Sequence, residues 1–137
     1  MSETALSAVI TGGARGIGKA IALRLARAGM NLVVSDILEE EAVRAAAEVE
    51  ALGVRALAVR SDVSKAADAE ALVKQAVAAL GSVDILVNNA GITRDNLSIR
   101  MGENEWDLVL GVNLKGTFLC SQFAAKEMMK KRFGRIV

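Results

Sequence analysis

Short apolar runs alternate with longer stretches of helical periodicity along the whole chain. Residues 6–11 (LSAVIT) are continuously apolar and read as a buried strand, and residues 18–29 (GKAIALRLARAG) carry helical spacing that closes on Gly29. Strand 31–36 (NLVVSD) is followed by an Ala-rich helix at 39–53, whose opening acids suit the helix dipole and which stops at Gly53. Strand 54–63 (VRALAVRSDV) leads into a helix running from Ser64, read as its N-cap, to Gly81. Strand 83–89 (VDILVNN) passes through the polar segment AGITRDNLSIRMGEN into a long helix at about 103–132, and GRIV (134–137) opens a fifth strand. Continuously apolar strands separated by helices of this length predict a parallel sheet covered on both faces. The expectation is one α/β domain over 1–137, doubly wound through right-handed crossovers.

The first strand hands over to the first helix through TGGARGIG (11–18). Gly12 permits a sharp turn, Gly16 lets a bulky ligand approach the main chain, and Gly18 lets the helix lie close on the strand. Free N–H groups around Arg15 to Gly18, aided by the helix dipole, make an anion site suited to a pyrophosphate. Asp36 falls at the end of the second strand, 18 residues past Gly18. A carboxylate there accepts both hydroxyls of an adenosine ribose and repels a 2′-phosphate. Arg15 pulls the other way, but an exposed arginine turns easily to solvent, so Asp36 decides for NAD over NADP. The expected fold is therefore Rossmann-type, about five strands in the order 3-2-1-4-5.

Composition narrows the function further. The 137 residues are 53% apolar and 24% charged, as in a folded globular domain with a real core. A net charge of +1 leaves no footprint for nucleic acid or an anionic membrane. Uncharged stretches fall short of the roughly 18 residues of a membrane span. An early acidic residue without a basic n-region argues against a signal peptide. Cys120 is alone, which fits a buried hydrophobe in a reducing, cytoplasmic setting. His and Tyr are both absent, which removes two common proton-transfer groups and any His- or Cys-based metal site.

TGGARGIG, SDV (61–63) and NNAG (88–91) together resemble the short-chain dehydrogenase/reductase family, and NNAGITRDNLSIRM with MMKKRFGRIV is similar to its 3-oxoacyl-acyl-carrier-protein reductases. The resemblance runs from Leu6 to Val137. It implies that Thr11, Gly12, Gly16, Ile17 and Gly18 belong to the phosphate loop, with Arg15 inside it, and that Asp36 is the ribose acid of NAD-preferring members. It implies that Asp62 and Val63 border the adenine, that Asn89, Ala90 and Gly91 line the cofactor, and that Asn88 steadies the fourth strand. Asn113 matches the Asn of the catalytic tetrad, which supports a proton-relay water.

The other tetrad members, a Ser and a Tyr-x-x-x-Lys, follow the GRIV strand in relatives, and this chain has no Tyr. The reading expected from the resemblance is the cofactor-binding half of a carbonyl reductase, cut in its fifth strand and inactive alone. Two alternatives stay open. One is a stand-alone or engineered nucleotide-binding scaffold that self-associates without catalysis; the other is a strand-swapped oligomer with a distorted loop. The stripe Trp106, Leu110, Leu114, Phe118 and Met128/Met129 is expected to be core first, with part of it, or the cut sheet edge, pairing with a second copy as a dimer.

Overall fold

A computed structural model describes residues 4–137, so the early acid Glu3 of the signal-peptide argument lies outside the described residues. Five parallel strands form one sheet: β1 (Ser7–Thr11), β2 (Asn31–Asp36), β3 (Ala56–Arg60), β4 (Ile85–Val87) and β5 (Arg135–Ile136). Their order is β3-β2-β1-β4-β5, as expected. Ile10 of β1 sits beside both Val34 of β2 and Val87 of β4, which sets the register at the centre.

The pleat sorts the strand residues between two cores, because neighbouring side chains point to opposite faces. Ala8, Ile10, Leu32, Val34 and Val87 face α1 (Gly16–Arg27) and α2 (Glu39–Glu50). Val9, Val33, Val59 and Leu86 face α3 (Ala66–Leu80) and α5 (Gly116–Lys131). The inner stripes of the first two helices are made of small residues: Gly18, Ala22 and Ala26 on α1, and Ala42, Ala45 and Ala46 on α2. Small side chains at i, i+4 spacing let these helices lie close on the sheet. The helices give way to Gly29, Gly53 and Gly81 as expected, all three in the left-handed region.

One buried charge ties this frame together. Asp84 is 1% exposed, and its carboxylate accepts the Ser7 N–H (2.8 Å), the Ser82 hydroxyl (2.8 Å) and the Lys131 ammonium (2.9 Å). A single side chain thereby joins the entries of β1 and β4 to the end of α5.

Four expectations need correction. Ser64 does not cap α3: Lys65 occupies that position, and the Ser64 hydroxyl donates to Asp62 Oδ1 at 2.6 Å. The long helix is continuous from Glu103 to Lys131 but is built as α4 (Glu103–Leu110), a π-helical turn at Gly111–Lys115, and α5. Its Trp106–Phe118 stripe is not core. Trp106, Leu114, Phe118 and Met129 are 59–75% exposed, whereas Met128 is buried. The residues of α5 that pack inward are Leu119, Cys120, Ala124 and, from the expected stripe, Met128, while α4 buries none of its side chains. By length and composition alone this helix is apolar enough to cross a membrane, which counting uncharged stretches did not register.

Candidate functional site

The strand order reverses between β1 and β4, and in open α/β sheets the crevice at the carboxyl ends of such strands is where ligands bind. Here the ends of β1, β2, β3 and β4 surround a cleft of about 280 Å³. Gly12 and Arg15 form one wall, Asp36 and Ile37 a second, Asp62 and Val63 a third, and Asn89 to Ile92 the fourth. A shallower depression shares Gly91 and Ile92 with this cleft and continues it to Asn113.

The glycine turn carries out three separate jobs. Gly12 lies at φ 62°, and a Cβ there would stand 2.9 Å from Ala90 Cα, so the turn needs both the left-handed backbone and the missing side chain. Gly16, at φ 57°, faces open space, which leaves its backbone free for an incoming group. A Cβ on Gly18 would collide with the Gly12 carbonyl oxygen and the Asn89 amide, so that position is fixed by packing. Helix α1 begins at Gly16 with Arg15 as an extended N-cap that makes no side-chain capping bond. The N–H groups of Gly16, Ile17 and Gly18 therefore have no partner among the described residues, as the first turn of a helix dictates. Gly16, Ile17 and Gly18 do not themselves line the cleft, but these donors and the positive end of the dipole follow directly on Arg15, which does.

Thr11 does not line this cleft. It is 2% exposed, and its hydroxyl donates to the Val87 carbonyl (3.3 Å) while accepting the N–H groups of Asn89 and Ala90 (3.1 Å each). Asn89 answers by donating its side-chain amide to the Gly12 carbonyl at 3.0 Å. The two residues stitch the glycine turn to the segment after β4. Asn88 points away from the cleft and donates to the Ser121 hydroxyl at 3.0 Å, joining β4 to α5.

Asp36 sits on the rim. One oxygen accepts the Ala14 N–H and the other the Leu38 N–H, both at 3.2 Å, so the carboxylate is held in place. Arg15 turns out toward α2, its Nε 3.7 Å from Glu41 Oε2. On the third wall, Asp68 in the first turn of α3 accepts the Asp62 N–H at 2.9 Å. The Ser64 hydroxyl holds the Asp62 carboxyl below the ordinary value of 3.8, outweighing the effect of burial. Asn113 lies in the π turn, where its amide donates to the Ile92 carbonyl (2.9 Å) and accepts the Ile92 N–H (2.8 Å). Its own carbonyl accepts the Thr117 hydroxyl at 3.0 Å.

Sequence reasoning missed Ser35, Ile37, Ser61, Ile92 and Val112 of the lining. Ser35 and Ile37 flank Asp36, and Ser61 precedes Asp62, so chain adjacency was an available signal. Ile92 follows Gly91 and Val112 precedes Asn113, so adjacency pointed to them as well, while the pairing of Ile92 with Asn113 across 21 positions carried no sequence signal. Chemically, the cleft offers a fixed carboxylate for hydroxyl groups and apolar lining at Ile37 and Val63, and the unpaired backbone donors that open α1 stand beside it.

Residues 7–137 match a family model described as short chain dehydrogenase. The chain is 47% identical over 132 residues to the 3-oxoacyl-[acyl-carrier-protein] reductase FabG of Staphylococcus aureus, covering 96% of this chain and 54% of that protein. It is 44% identical over 135 residues to the 3-oxoacyl-[acyl-carrier-protein] reductase of a Synechocystis species, covering 98% and 55%. It thus spans about half the length of the curated relatives it matches. Among solved structures, a short chain dehydrogenase/reductase from Burkholderia phymatum in complex with NAD superposes with a TM-score of 0.93 at 35% identity, covering 99% of this chain and 49% of that one.

Proposed function

The chain belongs to the short-chain dehydrogenase family, and from that premise we propose that it is the cofactor-binding part of an NAD(P)-dependent carbonyl reductase of the 3-oxoacyl type, with NAD preferred. One observation carries this reading: Gly12 and Arg15 of the glycine turn line the same cleft as the tethered Asp36 carboxylate, and the N–H groups of Gly16, Ile17 and Gly18 directly after that turn are unpaired. A dinucleotide fits them residue by residue. Its pyrophosphate would sit on the α1 N-terminus, where the open face of Gly16 admits it. Its adenosine ribose would donate to Asp36, whose oxygens each keep a lone pair after accepting Ala14 and Leu38. The adenine would lie between Ile37 and the Asp62–Val63 wall, and the nicotinamide end toward Asn89, Ala90 and Gly91.

When bound and reduced, the nicotinamide supplies hydride to a carbonyl carbon. This chain's residues bind and orient. Thr11 and Asn89 act as positioning residues behind the nicotinamide wall, and Asn113 holds the Ile92 backbone across it. Proton delivery to the carbonyl oxygen is the task of the Ser and Tyr-x-x-x-Lys in the family pattern, and no Tyr is among these 137 residues. We expect the 137-residue polypeptide to bind dinucleotide without turning substrate over. The exposed Trp106, Leu114 and Phe118 face supports self-association along the long helix, and the buried, lone Cys120 supports a reducing, cytoplasmic setting.

The test is a titration of this chain with NADH, followed by nicotinamide fluorescence, with NADPH and Asp36→Ala alongside. Saturable NADH binding that exceeds NADPH binding and weakens in Asp36→Ala is the expected result. A cooperatively folded chain that binds neither dinucleotide overturns the reading.

A further inference from the structure

Two opposite charges stand on the ribose side of the cleft, and the proposal above assigns a role to only one of them. Asp36 disfavours a 2′-phosphate, but Arg15 lines the same cleft and carries the group best shaped to bind one, since a guanidinium meets phosphate oxygens with two parallel N–H groups. The pinned Asp36 does not hold Arg15. Its carboxylate oxygens take the Ala14 and Leu38 N–H groups, and the ion pair of Arg15 is made with Glu41.

Glu41 is well placed for this. It lies in the first turn of α2, where the helix dipole favours a carboxylate, and its side chain is one-third exposed. Helix α2 also meets α1 where Lys19, in the first turn of α1, reaches Glu48 in the last turn of α2 at 2.7 Å. That contact lies at the far end of α2 from Glu41; in its first turn, Glu41 stands 3.7 Å from the Arg15 guanidinium.

We propose that Glu41 is a specificity-determining residue of this cleft: it draws the Arg15 guanidinium away from the ribose rim and so denies a 2′-phosphate its cation. The inference rests on the dinucleotide reading above and deepens it. Discrimination against the 2′-phosphate then has two parts, repulsion by Asp36 and sequestration of Arg15 by Glu41. Removing Asp36 alone leaves the second part in force. An exposed ion pair is modest in strength, and the expected effect is scaled accordingly.

The experiment measures NADH and NADPH affinities by nicotinamide fluorescence for the unaltered chain, Glu41→Gln, Glu41→Asp, Arg15→Gln and the Arg15→Gln/Glu41→Gln pair. Glu41→Gln should tighten NADPH by about twofold to fivefold, the range an exposed ion pair supports. NADH affinity should stay level, Glu41→Asp should keep the original ratio, and the gain should fade in high salt. The gain should also vanish in the Arg15→Gln background. An unchanged NADPH-to-NADH ratio in Glu41→Gln, or an equal gain without Arg15, overturns the inference while NADH binding by the unaltered chain leaves the dinucleotide reading standing. If the unaltered, folded chain binds neither dinucleotide, both fall.

Discussion

Replacing Thr11 with Val tests whether one buried hydroxyl holds the glycine turn to the segment after β4. The shapes match, so the perturbation removes hydrogen bonds with little change in packing. Of the three bonds at the hydroxyl, two leave their partners provided for: the Asn89 N–H and the Val87 carbonyl also bond each other at 3.1 Å. The Ala90 N–H has no other partner among the described hydrogen bonds. One orphaned donor costs about 1–3 kcal/mol, and each of the two weakened bonds adds about 0.5 kcal/mol, so the loss should be about 2–4 kcal/mol. Urea denaturation of Thr11→Val against Thr11→Ser, which keeps the hydroxyl and loses only a methyl, separates the hydrogen bonds from the packing. Thr11→Ser should lose about 1 kcal/mol. NADH affinity should fall in Thr11→Val and hold in Thr11→Ser, because the Asn89–Gly91 wall moves only in the former. Equal stability of the two variants would refute the argument, since the hydroxyl would then be contributing nothing.

The glycine positions should separate by mechanism. Gly18→Ala should destabilise by more than about 2 kcal/mol, because its Cβ meets the Gly12 carbonyl. Gly16→Ala should cost about 1–2 kcal/mol for its left-handed backbone while abolishing NADH binding, and retained binding would contradict the approach assigned to that face. At Asp84 burial pushes the carboxyl up, but the Ser7 N–H, Lys131 and Ser82 pull it further down, so it lies below 3.8 in the fold. A lowered folded value means this stabilisation is complete above the unfolded value and is lost as pH falls through the folded one. Stability measured by urea from pH 5 down to about pH 2 should therefore drop more steeply in the unaltered chain than in Asp84→Asn, and parallel curves would count against it. Burial pushes the Cys120 thiol up to about 11, so a thiol reagent near pH 8 should label it only after urea is added; rapid labelling of the folded chain would contradict its placement.

Periodicity and turn chemistry act over a few residues, and what they control was legible in the sequence. Continuously apolar strands between helices implied a parallel sheet, the glycines at 12 and 18 implied a tight turn packed close on the strand, and Asp36 at a strand end implied a carboxylate at the cleft. The helix stops at Gly29, Gly53 and Gly81 follow from the same local rules. Tertiary structure decided whatever depends on a distant partner. Thr11 looked like a loop residue and is a buried junction, because its partners lie 76 to 79 positions along the chain. Asn113 looked like a proton-relay residue and is seen bracing Ile92 from 21 positions away. Ser64 had a good capping sequence, yet Asp62 took its hydroxyl and Asp68 took the Asp62 N–H.

The long helix makes the same point about faces. Helical spacing identified an apolar stripe at Trp106, Leu114 and Phe118, but spacing cannot say which face of a helix meets the sheet, and α4 meets it with none of its side chains. Arg15 was judged by its exposure, and its ion-pair partner is Glu41, 26 residues away. Local sequence determined the elements and the chemistry at their ends. Only packing across the sheet decided which of those groups meet, because hydrogen bonds and ion pairs depend on distances that the order of residues does not specify.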